Sequence, residues 1–388
     1  WSKSEHNSQS PNRKKWIEIL TMREPINFFK KNLNKNIKIY RAGSQDGFSW
    51  TLKKEIALEF QQRYNNIVNP IYFSLDHKTV SIIGGSGFIG RALVKKLALS
   101  GAKINVLTRN AVRSKNLKTA GDVGQVTVMS GDALVDEDII NSIRFADYVV
   151  NLIGIFHPSG KQNFLNSQAE LPQRLGQIAK KLDVKKIVHV SAIGADLESK
   201  SQYQKTKAEG ERNLLRIFPG CTILRPSIVF GPGDGFFDRF AKIAMISPAL
   251  PLIGGGKTKF QPIFVGDVAD SILFCLGHSQ TDGQIYELGG PSMYSFKELL
   301  SYTLGSIGKK RALIPISNFT MQIPAALFSI LPNPPITLDQ LRMLESDNVV
   351  SENMPNISSF GITPQPIEAH VPYYLSCYRQ GGIFASNQ

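Results

Sequence analysis

The stretch Val80-Ser81-Ile82-Ile83-Gly84-Gly85-Ser86-Gly87-Phe88-Ile89-Gly90 carries an apolar run straight into glycines at 84, 87 and 90. Such a turn needs a tight reversal at Gly84, close backbone approach to an anionic group at Gly87, and close packing of helix on strand at Gly90. Each role excludes a Cβ atom, and Phe88 and Ile89 open the helix whose first N–H groups face the phosphates of a dinucleotide. The flanks agree. Arg91 to Ala98 places apolar residues at helical spacing, Ser100-Gly101 stops it, and Ala102 to Arg109 reads as a second strand.

Short apolar segments recur downstream at Val126–Met129, Tyr148–Ile153, Lys186–Ser191 and Thr222–Leu224, separated by helix-length stretches. The fold expected is therefore α/β, a doubly wound parallel sheet of the Rossmann type over 77–230. After Gly231-Pro232-Gly233 the pattern becomes irregular and rich in Pro and Gly, which reads as a smaller C-terminal α/β lobe over 231–388, for substrate or partner. Asp234, Phe237, Arg239, Lys259 and Gln261 are its candidates to face the cleft, and His157 is given no role.

Residues 1–76 form a basic N-terminal appendage. Residues 1–78 hold 14 Lys/Arg against 7 Asp/Glu, half of the chain's net charge of +14 in one fifth of its 388 residues. A solvated basic tail is the simpler reading and an anionic partner the sharper one. No stacked aromatic and basic pattern accompanies it, so no specific nucleic acid binding is expected. Ile39–Gly43, Phe48–Thr51 and the helical Lys53–Tyr64 faintly resemble elements of ADP-ribosyltransferase-like folds, without a catalytic glutamate motif; a small structural module is the simpler reading. The chain opens on Trp1 rather than Met, which reads as a fragment or a fusion.

With 42% hydrophobic residues the chain can bury a full core, which excludes disorder as a whole. Cys221, Cys275 and Cys377 lie far apart without metal-ligand spacing, so reduced thiols and no metal site are expected. No uninterrupted apolar run reaches spanning length; Phe319–Leu331, broken by Pro324, reads as a core helix rather than an interfacial one.

The chemistry sits in Tyr203-Gln204-Lys205-Thr206-Lys207, which puts Tyr203 and Lys207 on one face of a helix, with Ser191 at the end of the strand before it. A neighbouring ammonium favours phenolate, so Tyr203 is expected to exchange a proton near neutral pH while Ser191 orients a carbonyl oxygen. At the end of the second strand an acidic residue would accept from a ribose 2′-hydroxyl; here stand Thr108-Arg109-Asn110 and Arg113, which suit a 2′-phosphate. The cofactor expected is thus NADP(H), with NAD(H) the alternative. Asp132 suits contact with adenine, and Asn151 to Gly154 would line the phosphates.

The set Ser191, Tyr203 and Lys207 behind a glycine-rich turn, with Arg225-Pro226-Ser227-Ile228-Val229-Phe230-Gly231 following, resembles the short-chain dehydrogenase/reductase superfamily, extended epimerase/dehydratase type. The resemblance implies that Lys207 also binds the nicotinamide ribose and that Pro226 lies at the cofactor. It narrows over Val190–Asp196, Thr206–Glu211, Phe236–Ala241, Leu250–Gly256, Phe260–Ala269, Tyr286–Pro291, Leu338-Asp339-Gln340 and Asp347–Val350. These look like the NADPH-binding Rossmann accessory subunits of respiratory complex I, in their alphaproteobacterial form. That branch implies a structural or assembly role and peripheral-arm subunits of complex I as partners. It also implies a peripheral position on the cytoplasmic face of a bacterial inner membrane, equivalent to the mitochondrial matrix side. Two further readings compete: a free-standing NADP(H)-dependent oxidoreductase or sugar-nucleotide epimerase using Ser191, Tyr203 and Lys207, and a non-enzymatic binder of nucleic acid or anionic lipid through the basic segment.

Overall fold

A computed structural model of the chain describes residues 40–42, 49–51, 74–317, 320–322 and 336–379. The helical reading of Lys53–Tyr64 and that of Phe319–Leu331 therefore lie outside the described residues, apart from 320–322. The chain divides into two compact units, Trp1–Asn69 and Pro70–Gln388. In the first, Tyr40–Ala42 pairs antiparallel with Ser49–Thr51.

In the second, the elements follow as β1 (Thr79–Ile83), α1 (Phe88–Leu99), β2 (Lys103–Thr108), β3 (Val126–Ser130), α2 (Asp136–Ile143) and β4 (Tyr148–Asn151). After these come α3 (Leu171–Lys181), β5 (Lys186–Val190), α4 (Gln202–Ile217) and β6 (Thr222–Pro226). The last are α5 (Phe237–Ile246), α6 (Val265–Gly277), β7 (Ile285–Leu288), α7 (Phe296–Ser306) and α8 (Leu338–Met343). The seven strands form one parallel sheet in the order β7-β6-β5-β4-β1-β2-β3. The inner strands β1 and β5 are Val/Ile-rich runs buried on both faces, as a parallel sheet covered by helices requires. One apolar cluster packs Leu93, Val94 and Leu97 of α1 with Val268 and Ile272 of α6; the other packs Ile139 and Ile143 of α2 with Leu171, Leu175 and Leu214.

The strand order reverses between β1 and β4, so the turns that follow these two strands open a crevice at the carboxyl ends of the sheet. A third cluster, with Phe230, Phe237, Leu250, Phe296 and Leu299, makes the core of the smaller lobe, where Ala249–Ile253 pairs in parallel with Ala312–Ile316. Phe237, a candidate for the cleft, is fully buried in it.

The division at residue 230 is not the one the sheet makes. β7 is the edge strand beside β6, and α6 lies against α1, so residues 265–288 return to the nucleotide fold before the chain goes back to the lobe. Tyr286 and Leu288 are buried, and their strand pairs in parallel with β6 along its whole length.

Candidate functional site

The three glycines of the turn are required for three different reasons. Gly84 has φ of +85°, and a Cβ there would lie 2.9 Å from the Ile153 side chain after β4. A Cβ on Gly90 would run into the backbone of Gly85, so helix and strand pack there with nothing between them. Gly87 is different: a Cβ would meet only the Gly84 carbonyl, at 3.2 Å, and its φ of −71° suits any residue. No side chain caps α1 and no acidic residue stands in its first turn. The positive end of the helix is left for an anion.

At the end of β2 the Thr108 and Ser86 hydroxyls hydrogen-bond at 2.8 Å, tying the second strand to the glycine turn. Arg109 and Arg113 are exposed, and neither guanidinium has a partner among the described residues. Asp132 forms a local turn, one carboxylate oxygen accepting from the Leu134 N–H at 3.0 Å.

Asn151 departs from expectation. Its side chain is fully buried, its carbonyl accepting from the Ile153 N–H (3.1 Å) and its amide lying 3.0 Å from His189 Nδ1 on the next strand. With both ends of the amide engaged inside the sheet, Asn151 shapes the turn after β4 and offers no side chain to a phosphate. Gly154 is exposed, and a Cβ on it would stand 3.2 Å from the Lys207 ammonium. Pro226, buried at the end of β6, accepts from the Ile193 N–H through its carbonyl, which fixes the loop after Ser191.

Lys207 is buried on α4 and donates to the carbonyls of Val190 (3.2 Å) and Ile153 (3.5 Å). Burial lowers its pKa to about 8, opposed by Glu211 one turn on. Glu211 itself is clamped by Arg225, Nη2 to Oε2 at 2.6 Å. Ser191, Gly154 and Lys207 thus meet at the ends of β4 and β5, and the Ser191 hydroxyl is buried with no hydrogen-bond partner among the described residues. A buried orphan of this kind is costly unless something polar completes it.

Tyr203 stands one turn before Lys207 on the same face of α4. Its ring stacks on Phe156, centroids 5.2 Å apart, and Phe164 meets it edge-on. Burial pushes its phenol above the ordinary range, with no lowering from Lys207. The expectation of a phenolate-favouring ammonium is overturned: the Lys207 Nζ is directed at two main-chain carbonyls.

Two residues to which the sequence assigns no role hold this arrangement. Gln168, on a π-helical turn before α3, donates to the Ile155 carbonyl (2.8 Å) and accepts from Thr206 on α4 (2.9 Å), which places Phe156 over Tyr203. Asp339 on α8 accepts from Ser201 Oγ (2.8 Å) and from the N–H groups of Gln202 (2.7 Å) and Tyr203 (3.0 Å) at the start of α4. A π-turn marks Gln168 only after the fold is known; Asp339 stood in a stretch whose resemblance had no stated role.

Residues 80–289 match the family model described as NAD dependent epimerase/dehydratase family. The chain belongs to that family. It is 32% identical over 319 residues to NADH dehydrogenase (ubiquinone) 1 alpha subcomplex subunit 9, mitochondrial, of Arabidopsis thaliana, covering 78% of each chain. It is 29% identical to the NADH-ubiquinone oxidoreductase 40 kDa subunit, mitochondrial, of Neurospora crassa, covering 80% of this chain and 82% of that one. Among solved structures, MoeE5 in complex with UDP-glucuronic acid and NAD superposes with a TM-score of 0.59 at 20% identity, covering 76% of this chain and 96% of that one. This last likeness is one of fold. No helix among the described residues is long and apolar enough to cross a membrane, and none of their His, Cys, Asp and Glu cluster to hold a metal ion.

Proposed function

We propose that this family member is a nucleotide-holding accessory subunit of a respiratory NADH:ubiquinone oxidoreductase, peripheral to the membrane and structural in role. The observation that carries the reading is the extent of likeness to proteins named as such subunits: 319 residues and 78% of each chain, against residues 80–289 for the family match.

The residues fit a dinucleotide. The uncapped start of α1 and the open approach at Gly87 suit the pyrophosphate, and the buried, unpartnered Ser191 hydroxyl and Lys207 suit the nicotinamide half. Arg109 and Arg113, without a partner among the described residues and standing where an acidic residue would select the 2′-hydroxyl, support NADP(H) over NAD(H). When bound, the nicotinamide supplies hydride-transfer chemistry. Tyr203, its phenol held protonated by burial beneath Phe156, is poorly placed to release a proton, which supports holding over turnover.

The orphan Ser191 hydroxyl favours one second reading, a free-standing reductase or epimerase that places a substrate carbonyl there. Affinity purification from native membranes separates the two. Recovery of other subunits of the oxidoreductase supports the accessory role; recovery of the chain alone, with nucleotide oxidation that depends on Tyr203, supports the enzyme.

A further inference from the structure

The first four N–H groups of a helix have no partner inside it. In α4 all four are satisfied, and two of them from 136 or more residues away. Ser201 donates to Ser199 Oγ (3.1 Å), Gln202 and Tyr203 donate to the two carboxylate oxygens of Asp339, and Gln204 donates to Ser201 Oγ (3.3 Å), while the Lys205 N–H begins the helical ladder on the Ser201 carbonyl (3.0 Å). Ser201 Oγ in turn donates to Asp339, so the cap is a single network with the anion at the positive end of the helix.

Asp339 is itself fixed. Thr337 and Gln340 close a capping box at the start of α8, Leu341 is buried, and Arg342 reaches the Lys200 carbonyl at 3.4 Å. The carboxylate belongs to a segment outside residues 80–289 of the family match, yet it acts on the helix that bears Tyr203 and Lys207.

We propose that Asp339 is the positioning residue for the nicotinamide half of the nucleotide site. It holds the first turn of α4 so that Tyr203, the second residue of the helix, and Lys207, one turn on, keep their places beside Ser191 and Gly154. The glycine turn, α1 and Arg109 lie on other elements and owe nothing to this cap. The proposal rests on the nucleotide reading above and predicts a split that a general loss of stability does not produce.

The test uses the full chain and two probes: NADPH or NADH, whichever the wild type holds, and the matching adenosine fragment, 2′,5′-ADP or 5′-ADP. Asp339→Ala is expected to weaken the whole dinucleotide about tenfold, the worth of one helix cap, while fragment affinity stays within about twofold. Asp339→Asn keeps the size and one acceptor; it is the variant to read if the alanine protein does not fold, and it should show the same split at smaller size. Equal loss of both probes, or loss of neither, overturns the positioning role. A wild type that binds neither probe overturns the nucleotide reading and this proposal with it.

Discussion

The ring of Phe156 lies nearly parallel to that of Tyr203, 12° between planes, while Phe156 itself is largely open to solvent. An exposed aromatic laid over a buried phenol is held there by a specific device, here the Gln168 amide on the Ile155 carbonyl. Burial is the cause of the raised phenol pKa, so removing the cover admits water to the Tyr203 ring. Phe156→Ala should bring the Tyr203 titration down toward the ordinary value of about 10 with little change in stability. The measurement is phenolate absorbance against pH, compared with the same variant carrying Tyr203→Phe. An unmoved titration would show that Phe156 is not what keeps water from the phenol.

The glycine turn predicts a dissociation between folding and binding. Gly90→Ala forces a methyl into the Gly85 backbone and should cost about 1–3 kcal/mol in urea unfolding, as overpacking does. Gly87→Ala meets only one carbonyl at 3.2 Å and should cost about 1 kcal/mol or less, yet weaken nucleotide binding roughly tenfold or more, because the methyl points where the pyrophosphate approaches. Equal losses of stability in the two variants, or undiminished binding in Gly87→Ala, would contradict the assignment.

Much of this was legible in the sequence because it is local. The strand, the glycines, the amphipathic helix and the second strand that follow one another from 79 to 108 specify the first βαβ unit, and the four-residue step from Tyr203 to Lys207 puts both on one helix face. What was not legible depends on burial and on distant contacts. The proximity of Lys207 in sequence suggested a lowered phenol pKa, but the direction of the ammonium toward Val190 and Ile153 is set by the ends of two strands. Asn151 looked like a phosphate contact because it ends a strand at the crevice; its partner His189 is 38 residues on. Ile285–Leu288 follows the Pro- and Gly-rich break at Gly231 and so reads as part of the smaller lobe, because its four residues carry no mark of which sheet they join.

His189 gives a pH prediction. It is fully buried on β5, its Nδ1 accepts from the Asn151 amide, and burial together with the nearby Lys207 lowers its pKa to about 3. Between pH 6.5 and 3 the unfolded chain therefore binds a proton that the folded chain refuses. The stability this group contributes is fully present above about 6.5 and drains as pH falls through that window, by about 1.4 kcal/mol per pH unit at the steepest. His189→Gln, which keeps an acceptor for Asn151, should flatten the loss of urea stability between pH 6.5 and 4 by close to one proton. A slope equal to the wild type's would mean that His189 is not refused its proton in the folded state.

The proposed function requires the crevice between β1 and β4 to hold a dinucleotide. Native purification followed by acid release and mass identification of whatever the protein carries tests it most directly. NADP(H) is expected near one molecule per chain, retained through purification and diminished in Gly87→Ala. A wild-type protein that carries no nucleotide, or that retains it equally in Gly87→Ala, would contradict the claim.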